Sequence, residues 1–253
     1  MSSGKRRVAR VTTRFTTDSV VVSCEHASNA LPPHVGTLGV PGGVMRSHVA
    51  WDEGSRELGG IIAHRLGCAH FSGRYSRLLV DLNRSRGTRA LIPTELFGTK
   101  VPGNRSLGRK EREERIEKYY TPYREAVEAA IAKAVETTGG CVHLSVHTFA
   151  PTVGNEVRDV DVGLLYDPKR PLERRLVESM LQSLTAAHVE TRPNYPYRGT
   201  SDGFTTHCRT VFPKTKYAGL ELEVNQRGLQ SNRAIWRMGR VLTEAIIAAL
   251  ELQ

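Results

Sequence analysis

The chain has 253 residues, enough for one substantial core, and a formal charge of +10 from 36 Lys and Arg against 26 Asp and Glu. The basic excess is dispersed, and no zinc-finger spacing, aromatic-rich basic run or helix-turn-helix accompanies it, so no nucleic-acid partner is expected. No stretch is apolar enough to span a bilayer, the first residues lack the apolar core of a secretion signal, and Cys24, Cys68, Cys141 and Cys208 lie far apart without a Cys-x-x-Cys pair; a cytoplasmic, membrane-free protein with reduced thiols is expected.

Residues 1–15 read as a basic arm carrying Lys5, Arg6, Arg7 and Arg10, and residues 16–253 as a single domain. The β-branched run at 19–24 predicts a strand that stops at Glu25-His26. Residues 52–66 place Leu58, Ile61, Ile62 and Leu66 at helical spacing, with Gly67 as a stop. Strands are predicted at 68–72 and 78–82, the second running into Asn83-Arg84. Residues 108–136 predict one or two helices, since Pro122 either kinks a long helix or opens a new one. A strand at 142–146 ends at His147, another follows at 160–166, and a helix at 173–188. A strand at 219–224 and a helix at 232–250 close the chain. The pieces 27–50, 83–107 and 192–211 are left irregular, a length that usually marks segments covering a site.

Strands alternating with helices imply an α/β protein, and in an open α/β sheet the ligand lies beyond the carboxyl ends of the strands. His26 and His147 each end a strand, so they converge there. Glu221 and Glu223 share one face of theirs by the two-residue period, and a carboxylate on a core strand calls for a cation or a catalytic task as compensation. Asn83 and Arg84 form a carboxylate receptor, because a guanidinium fork grips both oxygens and the neighbouring amide adds a third donor. The loop at 192–211 is dense in hydrogen-bonding groups, among them Asp202, His207 and Arg209, which suits substrate recognition or ordinary turn chemistry around Asp-Gly.

Over most of its length the sequence resembles the N-formylglutamate amidohydrolase family. The resemblance rests on Glu25-His26-Ala27-Ser28-Asn29, Trp51-Asp52-Glu53-Gly54, Ser76 to Arg84, Ser145-Val146-His147-Thr148-Phe149, Asp161-Val162-Gly163, Asp202-Gly203 with His207, and Leu222-Glu223-Val224-Asn225. It implies a single-domain three-layer α/β/α fold with a mixed, mostly parallel twisted sheet, as in zinc carboxypeptidases. It also implies a catalytic domain with His26 and His147 as ligands of zinc or another divalent metal, and Glu223 as general base. Zinc carboxypeptidases take an acidic ligand three residues after the first histidine, where this chain has Asn29. Catalytic zinc keeps three protein ligands and an open position, so the third comes from elsewhere. Asp52 is the preferred candidate, with a role as helix N-cap the competing reading, and Glu25 is the rival ligand.

The implied reaction is metal-dependent hydrolysis of an N-acyl amino acid, N-formylglutamate-like, by a monomer or small homo-oligomer acting on a small anionic substrate. Arg84 and Asn83 would anchor the α-carboxylate, while Arg77 and Arg209 are candidates for a second carboxylate or the developing oxyanion. Three alternatives stand beside it: a carboxypeptidase-like peptidase, an amidase using Cys24 as nucleophile because strand alternation puts it on the side of His26, and a non-catalytic binding module of the same fold.

Overall fold

In the computed structural model residues 15–251 are described. Six segments, β1 (Val20–Cys24), β2 (Ala69–Ser72), β3 (Cys141–Phe149), β4 (Val162–Leu165), β5 (Thr191–Pro193) and β6 (Tyr217–Asn225), pair into one sheet in the order β2-β1-β3-β6-β4-β5. β4 runs antiparallel to β6, and every other neighbouring pair is parallel. The α-helices longer than four residues are α1 (Ser55–Leu66), α2 (Arg109–Arg115), α3 (Thr121–Thr138), α4 (Pro171–Ala186), α5 (Phe204–Val211) and α6 (Asn232–Glu251). None of the described helices is long and apolar enough to cross a membrane.

Both faces of the sheet are covered, which gives three layers. On one face Val20, Val22, Val142, Leu144, Val146, Leu220, Leu222 and Val224 pack against Leu58 and Ile62 of α1, Leu176 and Met180 of α4, and Leu242 and Ile246 of α6. On the other, Val21, Cys141 and Tyr217 meet Val127 and Ile131 of α3 and Phe204 and Cys208 of α5. Beyond that apolar end the second face turns polar while staying buried. Ser23, His143, Ser145, His147, Glu221 and Glu223 lie along it at two-residue spacing. This buried polar stripe runs toward the carboxyl ends of β1, β3 and β6.

Several expectations are corrected. Residues 78–82 are a turn-rich crossing segment instead of a strand: Leu79 N–H bonds Ser76 C=O, Asp81 N–H bonds Leu91 C=O and Arg84 N–H bonds Asp81 C=O. Leu79, Val80 and Leu82 enter one apolar cluster with Leu91 and Ile92, and Leu78 enters another with Leu38 and Val101, so the run is apolar because both sides are covered. The stretch left irregular at 192–211 contains the end of β5 and all of α5. Between α2 and α3 the chain winds as a π-helical turn over Ile116–Tyr120, and Pro122, lacking an N–H, falls where that winding returns to α. Phe15, assigned to the arm, is buried against the core, while the basic residues Lys5 to Arg10 lie outside the described residues.

Candidate active site

β1 ends at Cys24, and the chain turns at Glu25-His26. The break in alternation decides which side chains face the site. Cys24 points into the apolar layer, its thiol 3.3 Å from Ser55 C=O, and burial followed by the charges of Glu25 and Asp52 pushes its pKa well up. It lines no part of the cavity described below, which removes the structural basis for a Cys24 nucleophile. Glu25 faces the polar stripe, where its Oε2 lies 3.1 Å from His147 Nε2 and accepts from Ser145 Oγ at 2.5 Å.

Asp52 precedes α1 but does not cap it: the N-cap is Gly54 with φ 82°, and no side chain bonds the helix start. Its backbone N–H donates instead to His26 C=O at 2.9 Å, which brings its carboxylate back over the sheet. Oδ2 lies 2.9 Å from His147 Nδ1 and 3.4 Å from His26 Nδ1. His26, Asp52 and His147 each offer one ligand atom within 4.8 Å of the others, and all three are buried. The far nitrogens are held by acids, His26 Nε2 at 2.6 Å from Asp81 Oδ1 and His147 Nε2 by Glu25. Carboxylates behind imidazoles fix tautomer and ring orientation in metal sites. His26 Nδ1 is buried without a hydrogen-bond partner, so it faces the point where a cation would lie. Two imidazoles and a carboxylate with an open side suit zinc or a similar divalent ion, and the residues fit such a group.

The other oxygen of Asp52 takes the Arg77 guanidinium, and His48 Nδ1 stands 3.3 Å from it. Burial pushes the Asp52 carboxyl up, but the charge of Arg77, then the bond to His147 and the nearness of His26, outweigh it and hold the group well below its usual range. Asp81 is held well below in the same way, burial being outweighed by the charge and hydrogen bond of His26 and the charges of Arg84 and Arg77. His147 moves the other way: burial lowers its pKa, but the bonds to Asp52 and Glu25 carry it well above the ordinary imidazole value.

Glu223 lies beside His147 in the β3–β6 register and opposite Gly163 on β4, where a side chain would strike the Tyr195 carbonyl. The Glu223 carboxyl has no hydrogen-bond partner among the described residues, and burial, with Asp52 and Glu221 adding repulsion against the pull of His147, pushes it up to about 8. Glu221, its neighbour on the stripe, accepts from Thr205 Oγ1 at 2.6 Å.

Together with His48, His26, Asp52, Arg77, Asn83, Arg84, His147, Asp202, Glu221 and Glu223 line one cavity of about 290 Å³. Asn83 Oδ1 accepts from Phe204 N–H at 2.6 Å and so caps α5, while its Nδ2 lies 3.4 Å from His147 Nε2. Arg84, partly exposed, donates to Asp202 C=O at 2.6 Å. His207 and Arg209 are not in the wall. His207 pairs with Glu128 at 3.1 Å, and Arg209 is tied to Glu173, Gly199 C=O and Gly219 C=O. Tyr197 and Arg198, in the loop read from sequence as suited to substrate recognition, do line the cavity, and Glu25, the rival ligand, stands behind an imidazole; Asp81 as an imidazole support and His48 in the wall are missed from sequence, an acid two residues before Asn83 being the available signal for the first.

A model of the N-formylglutamate amidohydrolase family matches residues 18–229. Among solved structures, a gene product (Atu2144) from Agrobacterium tumefaciens is similar at 27% identity with a TM-score of 0.84, covering 92% of this chain and 91% of that one. The fold is also that of an N-formylglutamate amidohydrolase from Ralstonia eutropha JMP134, at 19% identity and a TM-score of 0.72 over 92% and 93% of the two chains. No match was found among curated proteins. The family match spans the turn carrying His26, the Asp52 junction, the Asn83-Arg84 segment and the strands of His147 and Glu223, and it shows that this chain belongs to the N-formylglutamate amidohydrolase family and is an amidohydrolase.

Proposed function

We propose that the protein hydrolyses the amide of an N-acyl amino acid of the N-formylglutamate type, releasing formate and glutamate, with a divalent metal held by His26, His147 and Asp52. The observation that carries this reading is that three converging ligand atoms, an unpartnered glutamate and a partly exposed arginine line one cavity. Its volume of about 290 Å³ is at the small end for ligand sites, which suits a single acylated amino acid.

A metal in this donor set lowers the pKa of water and polarises a carbonyl. Burial pushes the Glu223 carboxyl up, and a cation held by His26, Asp52 and His147 would bring it back down; as the carboxylate it would accept a proton from water and return it to the departing amine nitrogen. Arg84 anchors the α-carboxylate through charge-assisted bonds, and Asn83 Nδ2 stands in the same wall. Arg77 acts on Asp52 and not on substrate, because its guanidinium is engaged by the carboxylate it holds in place. The test is formate release from N-formyl-L-glutamate by protein stripped with a chelator and then reloaded with zinc. Turnover that returns with zinc is the expected result; full activity in the stripped protein overturns the metal-assisted reading.

A further inference from the structure

We propose that Arg198 is a specificity-determining residue that reads a second carboxylate, the one on the substrate's side chain. The proposal rests on the N-acyl amino acid reading above and adds to it the residue that selects a dicarboxylate. The cavity wall carries three arginines. Arg77 is answered by Asp52, and Arg84 faces the Asp202 carbonyl with Asp81 4.0 Å away. The Arg198 guanidinium has no hydrogen-bond or ion-pair partner among the described residues. The Asp202 carboxylate, in the same cavity wall, is engaged by Ser85 through both its N–H and its hydroxyl.

An unpaired surface arginine is ordinary; this one is set on a backbone that is unusually well held. Asn194 Oδ1 accepts from Gly199 N–H at 2.9 Å and from Tyr166 N–H at 3.2 Å, which closes the loop from 194 to 199 and ties it to the end of β4. Gly199 packs so closely on the Tyr166 backbone that a side chain there would strike it, and its carbonyl accepts from Arg209. Thr206 Oγ1 donates to Ser201 C=O at 2.7 Å on the other side. The half-buried Arg209, a candidate from sequence for contact with substrate, therefore fixes the residue next to Arg198. A positioned cation with no internal partner is preorganised for an anionic ligand, since little ordering remains to be done on binding. With Arg84 taking the α-carboxylate, Arg198 supplies the second grip, and Tyr197, Leu96 and Phe97 add apolar wall.

The experiment compares N-formyl-L-glutamate with N-formyl-L-glutamine, which has the same shape without the second charge. The zinc-loaded wild type should prefer the glutamate compound, and Arg198→Met should reduce the ratio of the two kcat/KM values about 10- to 100-fold, mainly through KM, with partial recovery in Arg198→Lys. Calorimetric binding of the same two compounds to Glu223→Gln protein, with and without Arg198→Met, should show the same loss of discrimination in Kd. Equal use of both compounds by wild type, or an unchanged ratio in Arg198→Met, overturns the role of Arg198 and leaves the hydrolase reading standing. Selective, Arg198-dependent binding without turnover does the reverse.

Discussion

Glu223 and His147 occupy matched positions on adjacent parallel strands, so the proposed general base and the proposed metal-ligating imidazole are spaced by the sheet itself and not by a loop. Geometry set by strand register resists drift. Glu223→Gln keeps shape and removes the base; it should fold and bind zinc like wild type while kcat falls about 10²- to 10⁴-fold. Glu221→Gln is the control, because that carboxylate is engaged by Thr205. A dead Glu221 variant beside an active Glu223 variant would move the base by two residues.

The metal assignment makes its own demand. His26→Ala and His147→Ala should each lose zinc and activity together, read by metal content and turnover of the same preparation. Wild-type zinc in either variant removes that histidine from the site.

Asp52 does two things at once, and they can be separated. Asp52→Asn should lose zinc, and should also destabilise the fold by about 3–5 kcal/mol because Arg77 is left buried without its counter-charge. Adding Arg77→Met should restore much of the thermal stability and none of the zinc. Recovery of zinc in the double variant would mean that Asp52 only neutralises Arg77.

For the α-carboxylate, Arg84→Lys keeps the charge and loses the planar fork. It should lower kcat/KM about 10- to 100-fold, the loss of roughly 1.5–3 kcal/mol from a charge-assisted bond. On a substrate amidated at its α-carboxylate, wild type and variant should converge; a persisting wild-type advantage there would give Arg84 another task.

His143 carries a pH signature in stability. It is fully buried between Ser23 Oγ at 2.8 Å and Tyr217 OH at 2.9 Å, and burial brings its pKa down from 6.5 to about 4. Between those values the unfolded chain binds a proton that the folded chain does not, so this contribution is complete above pH 6.5 and is lost as pH falls toward 4, at about 1.4 kcal/mol per unit. Denaturant unfolding of wild type and His143→Gln across that window should give a stability difference that shrinks with acidification. A constant difference would show that His143 does not titrate on unfolding.

Much of this architecture was legible in the sequence, because β-branched runs ending in a functional residue announce buried strands. Val20 to Cys24 and Val142 to Val146 are of this kind, and Glu221 and Glu223 gave the polar face by spacing alone. Leu78 to Leu82 misled for a physical reason: an apolar run covered on both sides looks the same whether or not its backbone pairs with a strand. The eight residues of α5 were hidden because the group that caps them, Asn83, is remote in sequence. Glu25 keeps the side of Ser23 while the chain turns after Cys24 and brings His26 to the same side, and the support at Asp81 depends on a turn where a strand was expected.

The buried polar stripe on the sheet also shapes how this protein tolerates change. Along β3 and β6 consecutive residues answer to different constraints: Leu144, Val146, Leu222 and Val224 hold the layer of α1, α4 and α6, while His147, Glu221 and Glu223 line the cavity and Ser145 bonds Glu25 and His147 behind it. A saturation scan read separately for soluble yield and for turnover should therefore oscillate with a period of two, the two signals out of phase. Variation that alters chemistry without unfolding the chain has its natural entry points on that alternate set, one residue away from positions where the same change would be lethal to the core.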